Sequence, residues 1–426
     1  MKEKKISRRQ FLKSTGAIAA GTAVSASLIG SLSGCATTPG GAAPGAAGFG
    51  GWVAQNPSPL FESVNIGSLT LKNRMIRSAA AEGRGIGGNP TPDLINMYSR
   101  SAEGGAGMLI TGLTPVLNEE QFFATSTTFG DDSQIPIYRQ LTDAVHRNGS
   151  KICIQLTLIG TSRAWDVANP NKRIFAPVPM TDRNGTVATR GMTVAEIREC
   201  IDAYARAGIR AQEAGFDAIE FHFCHHFLIS KWFTPYFNYR TDEWGGPEIA
   251  NRARFAFEIV EAVRRVVGRE FPLIAKIDGN DFLGRGNTQD DISFIAQGLV
   301  DRGIDALEIS GGSDGDVRYR NIVSDILFEE DQMYFSRNAR NIARNVNIPL
   351  LLTGGVRDVV MMERALRQNP NIAAFTMART MIIEPDLPNK WQRDPGHTPR
   401  CVSCNWCIDN LFRLGHLDCP FGRGGA

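Results

Sequence analysis

Eight short apolar segments, separated by longer stretches with helical periodicity, constrain the fold of this 426-residue chain more than any other feature. In the intervening stretches, for example Thr193–Ala214, Arg252–Val267 and Asp291–Asp301, apolar residues recur three and four positions apart. This alternation predicts an α/β fold, a (β/α)8 TIM barrel, because successive right-handed crossovers close a parallel sheet on itself. A doubly wound sheet is the alternative, but no strand is followed by a GxGxxG turn. The predicted strands are Met75–Ala79, Met108–Thr111, Ile152–Leu156, Ala218–Phe221, Leu273–Ile277, Ala306–Ile309, Pro349–Thr353 and Ala373–Met377.

Polar side chains stand where several predicted strands end, which is the face of such a barrel that carries its chemistry. Gln155 ends strand three, His222 and His225 follow strand four, and Lys276 ends strand five. The two histidines are candidates for zinc ligands, for core residues or for paired hydrogen-bond donors to a substrate oxygen. We favour donors, because no carboxylate nearby completes a metal triad.

A second group of residues predicts an anion pocket after the last two strands. Gly354 and Gly355 follow strand seven, and Ala378 and Arg379 follow strand eight. Glycine lets backbone N–H groups approach a phosphate, and arginine binds phosphate through two parallel hydrogen bonds. The formal net charge is only +2, without a basic stripe interleaved with aromatic residues, so a nucleic-acid partner is disfavoured.

The N-terminus has the pattern of an export signal. The segment Ser7–Lys13 contains paired arginines followed by Phe-Leu-Lys, and a mildly apolar run extends over Ala17–Leu32. We interpret residues 1–34 as a twin-arginine signal peptide rather than a Sec signal or a basic tail. Leu32–Cys35 resembles a lipobox, in which Cys35 becomes the lipid-modified first residue, and residues 35–58 form a Gly/Ala/Pro-rich flexible tether. This predicts a periplasmic or cell-surface, lipid-anchored protein.

Over residues 59–400 the chain resembles the old yellow enzyme family of FMN-dependent oxidoreductases. Its nearest resemblance is to the branch of 2,4-dienoyl-CoA and 2-enoate reductases, which carry cysteines just after the barrel. The motifs that carry the resemblance occur in family order at Leu71–Arg74, Leu141–His146, Glu220–Leu228, Asn238–Gly246 and Glu384–Pro388.

The resemblance implies roles for the residues at the strand ends. His222 and His225 would hold the carbonyl or nitro oxygen of an unsaturated substrate, so that its β-carbon accepts hydride from flavin N5. A cation at the pyrimidine edge would stabilise the reduced flavin and raise its potential. The implied FMN-binding residues are Ser78 and Ala81 at the ring, Gln155 and Lys276 at the pyrimidine edge, and Gly354, Gly355, Ala378 and Arg379 at the phosphate.

Several positions depart from the family pattern, and three of them line the predicted site. Phe227 stands where the family has a proton-donating tyrosine, so we expect it to form a wall of the substrate site, with water or Tyr319 as the proton source. Ala81 replaces the usual Thr or Cys near flavin O4, and Ala378 replaces a glycine at the phosphate.

Four of the eight cysteines follow the barrel with metal-ligand spacing, Cys401-x2-Cys404-x2-Cys407-x11-Cys419. This resembles the [4Fe–4S] motif of the reductase branch, which has one more residue between the second and third cysteines. Structural zinc and two disulfides are the alternatives. Export of a folded, cofactor-loaded protein favours the cluster. The remaining cysteines, apart from Cys35, are expected to be buried packing residues: Cys153, Cys200 and Cys224.

The combined prediction is an FMN-binding barrel at 59–400 followed by a cluster-binding tail at 401–426. Because family members are usually reduced by NAD(P)H, which is absent outside the cytoplasmic membrane, we expect electrons to enter through the cluster from a membrane-associated donor. The larger branch members add nucleotide-binding domains after the cluster, whereas this chain stops at Ala426. Two other functions remain open. One is a flavin oxidase or amine dehydrogenase that passes electrons outward, and the other is a non-catalytic electron-transfer lipoprotein.

Overall fold

Eight parallel strands form a closed barrel in the computed structural model, which describes residues 57–160, 175–181, 187–312, 322–326 and 328–422. Each strand pairs in parallel with the next along the chain, and the last pairs with the first. The predicted TIM barrel is therefore confirmed, with every predicted strand in place. The barrel strands are β1 (Met75–Arg77), β2 (Met108–Ile110), β3 (Lys151–Thr157), β4 (Ala218–Phe223), β5 (Leu273–Asp278), β6 (Ala306–Ser310), β7 (Leu350–Leu352) and β8 (Ile372–Met377).

Helices separate the strands and cover the outside of the barrel. The helix Val194–Glu213 shows how the sequence fixes the start of a helix, because Thr193 and Glu196 form a reciprocal capping box there. The α-helices are α1 (Pro92–Glu103), α2 (Ile135–His146), α3 (Val194–Glu213), α4 (Leu228–Phe233), α5 (Ile249–Val267), α6 (Gln289–Asp301), α7 (Ser336–Ala343), α8 (Val359–Gln368), α9 (Arg379–Ile383), α10 (Leu387–Arg393) and α11 (Trp406–Leu414).

Short strands and 3-10 turns complete the secondary structure. Antiparallel pairs join Val64–Ile66 to Leu69–Leu71, Gly85–Ile86 to Asn89–Pro90, and Met180–Thr181 to Val187–Thr189, while Thr114–Pro115 pairs in parallel with β3. The 3-10 turns are Pro59–Phe61, Asn118–Glu120, Asp132–Gln134 and Glu329–Asp331. Within the described residues, no helix combines the length and the apolar character needed to span a membrane.

The barrel interior is closed at one end by the first hairpin. Ile66, Leu69 and Leu71 pack with the first inward-facing residues of the strands, such as Ile274 and Ala306, in one buried apolar cluster. Removing this apolar surface from water stabilises the closed sheet. The open end of the barrel is therefore the C-terminal end of the strands, where the predicted site lies.

Several predictions concern parts of the chain outside the described residues. These are the signal peptide at 1–34, the lipidation site Cys35, the tether as far as residue 56, and Tyr319. The boundaries of the barrel and tail at 59–400 and 401–426 remain predictions.

Candidate functional site

Inward-facing side chains change from apolar to polar along several strands, which creates a polar floor near the open end. Successive strand residues point to opposite faces, so every second residue faces the interior. On β5 these are Ile274, Lys276 and Asp278, and on β4 Glu220 and His222 follow the same order. The strand period thus brings charged groups from neighbouring strands together below one opening.

A cavity of about 450 Å³ opens above this floor. It collects every residue predicted to bind FMN, to be catalytic or to form the substrate wall, together with Cys401 of the tail. The predicted residues on its walls are Ser78, Ala81, Gln155, His222, His225, Phe227, Lys276, Gly354, Gly355, Ala378 and Arg379. Their individual roles remain predictions.

The two histidines form a hydrogen-bonded pair. His222 Nε2 lies 3.1 Å from His225 Nδ1, and His225 Nε2 lies 2.7 Å from the Ser310 hydroxyl oxygen. His225 has a left-handed backbone conformation (φ 63°), and its N–H donates at 3.1 Å to both carboxylate oxygens of Asp278. These bonds fix the direction of the rings.

Both imidazoles are neutral in the folded protein. Burial lowers the pKa of His222 to about 3, and burial together with His222 lowers the pKa of His225 well below its ordinary value. A neutral imidazole keeps one N–H donor and one acceptor nitrogen. The ring nitrogens bond to each other, to Ser310 and to Thr157, so the pair can donate to a substrate oxygen that displaces one of these partners, without placing a positive charge in the site.

Lys276 is held at the floor by a buried ion pair. Its ammonium donates to Glu308 Oε1 at 2.9 Å and to the Ser78 hydroxyl at 3.2 Å. Burial disfavours the charged ammonium, but the Glu308 and Glu220 carboxyl groups outweigh that effect and raise the pKa of Lys276. Gln155 donates to Glu220 Oε1 at 2.6 Å.

Sequence reasoning gave no role to Glu220 or Glu308, although both are part of this floor. Each is fully buried and lies two residues before a cavity-lining residue, His222 or Ser310. Strand periodicity was the available signal, because a residue two positions from a site residue on the same strand faces the same side.

The other end of the cavity is built from loops and the tail. Gly354 and Gly355 have positive φ values of 91° and 71°, and a Cβ on Gly354 would come within 2.6 Å of the Tyr334 ring. Arg379 donates through Nη1 to the Val323 carbonyl at 2.7 Å and to Asn405 Oδ1 at 2.6 Å. Arginine has five N–H donors, so these bonds leave others for an anion.

Arg357 is a second cation at this end that sequence reasoning missed. It lines the cavity and donates to the Ile326 carbonyl at 2.9 Å, to the Ser403 hydroxyl and to the Cys401 carbonyl. Nothing in the spacing around Arg357 distinguishes it from a surface arginine, because its partners lie 31 to 46 residues away.

The arrangement fits FMN on two observations. The floor presents the Gln155 amide and the Lys276 ammonium, which suit the polar edge of a flavin. The far end presents Arg379 beside two glycines without Cβ atoms, which suits a phosphate. The cavity between these ends provides one continuous space for a ring and a phosphate.

An aromatic wall borders the histidine pair. The ring centroid of Phe227 lies 4.7 Å from that of His222 and 5.9 Å from that of Phe122. Phe122 also contacts Phe123, whose ring meets Phe412 of the tail at 5.7 Å. Phe227 therefore lies beside the histidine pair, and its role as a substrate wall remains a prediction.

The cysteine tail packs against the same cavity. Cys407, Leu411 and Leu417 form an apolar cluster with Ala80 and Ala81 of the loop after β1. The tail thus contacts Ala81, one of the two residues that were predicted to touch the flavin ring.

The four tail cysteines are free thiols that influence one another electrostatically. Burial raises the pKa of Cys407 to about 11. Among the described residues, the side chains whose potential metal-ligand atoms lie within 4.8 Å of one another are His222, Cys224 and His225. The other predicted packing cysteines, Cys153, Cys200 and Cys224, are fully buried as expected.

Comparison with known protein families gives two matches. Residues 59–395 match the NADH:flavin oxidoreductase / NADH oxidase family. Residues 5–25 match the signal sequence of the twin-arginine translocation pathway. The second match confirms the predicted export signal.

Two curated relatives and one solved structure illustrate the similarity. A metal reductase of Desulforamulus reducens is 31% identical over 364 residues, covering 85% of this chain and 53% of that protein. A 4,4'-dithiodibutanoate disulfide reductase of Rhodococcus erythropolis is 31% identical over 389 residues, covering 84% of this chain and 94% of that protein. A 2-naphthoyl-CoA reductase complex superposes with a TM-score of 0.77 at 23% identity, covering 84% of this chain and 56% of that one. The chain spans about half the length of several curated relatives that it matches.

Proposed function

This chain belongs to the NADH:flavin oxidoreductase / NADH oxidase family, and from that membership we propose that it is an exported, FMN-dependent reductase of unsaturated carbonyl-like substrates. The observation that carries the proposal is the neutral His222–His225 pair, placed in one cavity with the Lys276 floor and the Phe227 wall. FMN, when bound, supplies the two-electron hydride chemistry.

The histidine pair acts on the substrate oxygen. An N–H that exchanges its partner in the pair for the substrate oxygen lowers the barrier, because it stabilises the negative charge that develops on this oxygen. Withdrawal of electron density toward this oxygen leaves the β-carbon of the double bond able to accept hydride. The proton for the α-carbon then comes from water, since Phe227 carries no exchangeable proton.

The apolar wall favours a flat acceptor. Phe227 and Phe122 meet edge to face beside His222, and they offer a flat substrate apolar surface rather than hydrogen bonds. This arrangement favours an unsaturated ketone, aldehyde or ester with an apolar substituent.

The tail supports a second part of the proposal, in which electrons enter through a [4Fe–4S] cluster at Cys401, Cys404, Cys407 and Cys419. The pKa of Cys407 is influenced by Cys401 and Cys419, and that of Cys419 by Cys401 and Cys404, which supports one shared metal centre for the four thiols. The packing of Cys407 and Leu411 on Ala81 supports a short path between the tail and the flavin ring.

Export supports a donor at the membrane. The twin-arginine signal directs the protein out of the cytoplasm, and Cys35 would attach it to the membrane as a lipoprotein. A membrane-associated donor of single electrons could then serve the cluster in place of NADH.

The test is an anaerobic visible and EPR spectrum of signal-free protein reconstituted with FMN, iron and sulfide. We expect a flavin spectrum and a dithionite-reducible cluster signal that the Cys407→Ser variant loses and the Cys200→Ala variant, altered at a buried cysteine of α3, retains. Zinc in place of iron would refute the cluster.

Substrate reactivity tests the direction of the reaction. Photoreduced protein mixed with 2-cyclohexenone should regain the oxidised flavin spectrum. Reduction of the oxidised protein by amines, with no reoxidation by enones, would instead support an amine dehydrogenase. Inertness toward both would favour a non-catalytic electron-transfer protein.

A further inference from the structure

Two carboxyl groups meet inside the barrel beneath Lys276. Glu220 on β4 and Glu308 on β6 both point inward from strands that flank β5, and both are fully buried. Glu308 Oε1 accepts hydrogen bonds from Lys276 at 2.9 Å, from Ser78 at 3.0 Å and from Thr376 at 2.7 Å.

The second oxygen of each carboxyl group is the informative atom. Glu220 Oε1 accepts from Gln155, but Glu220 Oε2 and Glu308 Oε2 are both buried without a donor among the described residues. A buried acceptor without a donor costs free energy, more so when it is charged. One proton placed between the two acceptors would satisfy both at once.

The charges at the floor also favour one proton between the two carboxyl groups. Burial and the neighbouring Glu308 raise the pKa of Glu220 well above its ordinary value, whereas Lys276 lowers the pKa of Glu308 to about 2 despite burial. Two adjacent buried carboxyl groups cannot both ionise readily, and such a pair titrates as a unit. With Lys276 as its cation, the floor then has no net charge.

We propose that Glu220 and Glu308 share one proton and one negative charge, and that this shared charge neutralises Lys276 and so holds down the reduction potential of the flavin. The proposal rests on the proposed function in one respect, the location of the flavin pyrimidine edge beside Lys276. It revises the expectation from sequence, in which Lys276 was a cation that raises the potential. Glu220 and Glu308 are positioning residues that act through Lys276.

Sharing predicts a non-additive response to substitution. In Glu308→Gln the remaining carboxyl group of Glu220 can ionise and face Lys276, and in Glu220→Gln the Glu308 carboxylate is unchanged. Only the double variant leaves Lys276 without a counter-charge. Residues that act as one unit show this departure from additivity in a double-mutant cycle.

The experiment measures the reduction potential of bound FMN in wild type, both single variants and the double variant. In each single variant, the equilibrium constant for reduction of bound FMN should change by less than tenfold. The double variant should raise it by more than tenfold, which is a positive shift of more than about 30 mV for a two-electron couple. Thr376→Val, which removes one donor to Glu308 without changing charge, is the matched control and should shift the potential little.

Two results would overturn the proposal. One is a double-variant shift equal to the sum of the single shifts. The other is a Glu220→Gln shift as large as that of the double variant, since this would make Glu220 an independent carboxylate.

A measurement on the wild type covers the case in which the double variant does not fold. Infrared spectra at pH 8 should show a protonated carboxyl band that Glu220→Gln removes, and its absence from wild type would contradict a shared proton. This band does not depend on FMN. Failure of wild type to bind FMN would therefore refute the proposed function while leaving the shared proton open to this separate test.

Discussion

The two ends of the cavity are built on different principles. At the inner end, Gln155, Lys276 and Glu308 stand on barrel strands and are buried. Gln155 bonds to Glu220 at 2.6 Å, and Lys276 bonds to Glu308 at 2.9 Å. At the outer end, Arg379 and Asn405 stand on a short helix and on the tail, are half-buried, and meet across 26 residues of sequence. The inner end fixes charge within a rigid sheet, whereas the outer end closes the cavity with a segment that follows the barrel.

The largest effect is expected from removing the cation at the inner end. Lys276→Met leaves the Glu308 charge buried without its partner, which costs roughly 3–5 kcal/mol in the free energy of unfolding. Lys276→Met/Glu308→Gln should recover most of this loss, because it removes the unpaired charge while still lacking the lysine. Urea unfolding of FMN-saturated protein at pH 8 measures both values. A single-variant loss below about 1 kcal/mol would show that water reaches the floor and that the two ends are less different than the structure indicates.

Loss of a catalytic donor should come next in size. His222→Ala removes one hydrogen-bond donor from the substrate oxygen and should lower kcat for 2-cyclohexenone about 10²–10³-fold, while FMN affinity changes little. His226→Asn is the matched control, because His226 packs against Phe237 and is not on the cavity wall, and Asn tolerates its left-handed backbone. Equal losses in both variants would contradict a catalytic role for His222.

The difference between the two ends also explains which site residues could be predicted from the sequence. Strand period and position after a strand locate Gln155, Lys276 and His222, because a barrel converges its strand ends on one face. The long-range contacts of loop and tail residues leave no periodic pattern in the sequence from which they could be predicted. The bonds of Arg357 and Arg379 to the tail depend on how that segment folds back, and no local pattern specifies this.

A substitution at the outer end should affect binding rather than chemistry. Arg379→Ala removes a charged hydrogen-bond donor from the proposed phosphate site, a loss of roughly 1.5–3 kcal/mol, and should weaken FMN binding by about 10–100-fold. Flavin fluorescence titration gives the dissociation constant, and kcat at saturating FMN should stay within twofold. Arg393→Ala, an exposed arginine on α10, is the control. A fall in kcat without weaker FMN binding would show that Arg379 affects the reaction, as the residues of the inner end are expected to do, and not the binding of FMN.

The histidine pair makes the inner end sensitive to acid. His222 has a folded pKa of about 3 because it is buried, whereas an unfolded histidine titrates near 6.5. Between these values the unfolded state binds more protons, so stability falls as pH decreases through this window, by about 2 kcal/mol from pH 7 to pH 5. The difference in unfolding free energy between wild type and His222→Gln should change by this amount between the two pH values. A pH-independent difference would mean that His222 is solvated.

The smallest effect tests the contact that joins the outer end to the tail. Asn405 accepts a hydrogen bond from Arg379 at 2.6 Å and has a left-handed backbone (φ 63°), so Asn405→Gly removes the side chain without backbone strain. The variant also removes the hydrogen bond from Asn405 Nδ2 to the Ile322 carbonyl at 3.3 Å. Loss of the bond that orients the arginine should cost about 0.5–1.5 kcal/mol and weaken FMN binding roughly 2–10-fold.

Asn410→Ala is the matched control for this contact, because Asn410 bonds to the Asp418 carbonyl within the tail and does not touch Arg379. Iron content should be measured in both variants, so that weaker FMN binding is not confused with loss of a metal centre. Weakening in Asn405→Gly alone, with metal retained, would show that the tail orients the phosphate-binding arginine. Equal FMN binding in both variants would show that the Val323 carbonyl suffices to hold Arg379 and that the Asn405 contact does not affect FMN binding.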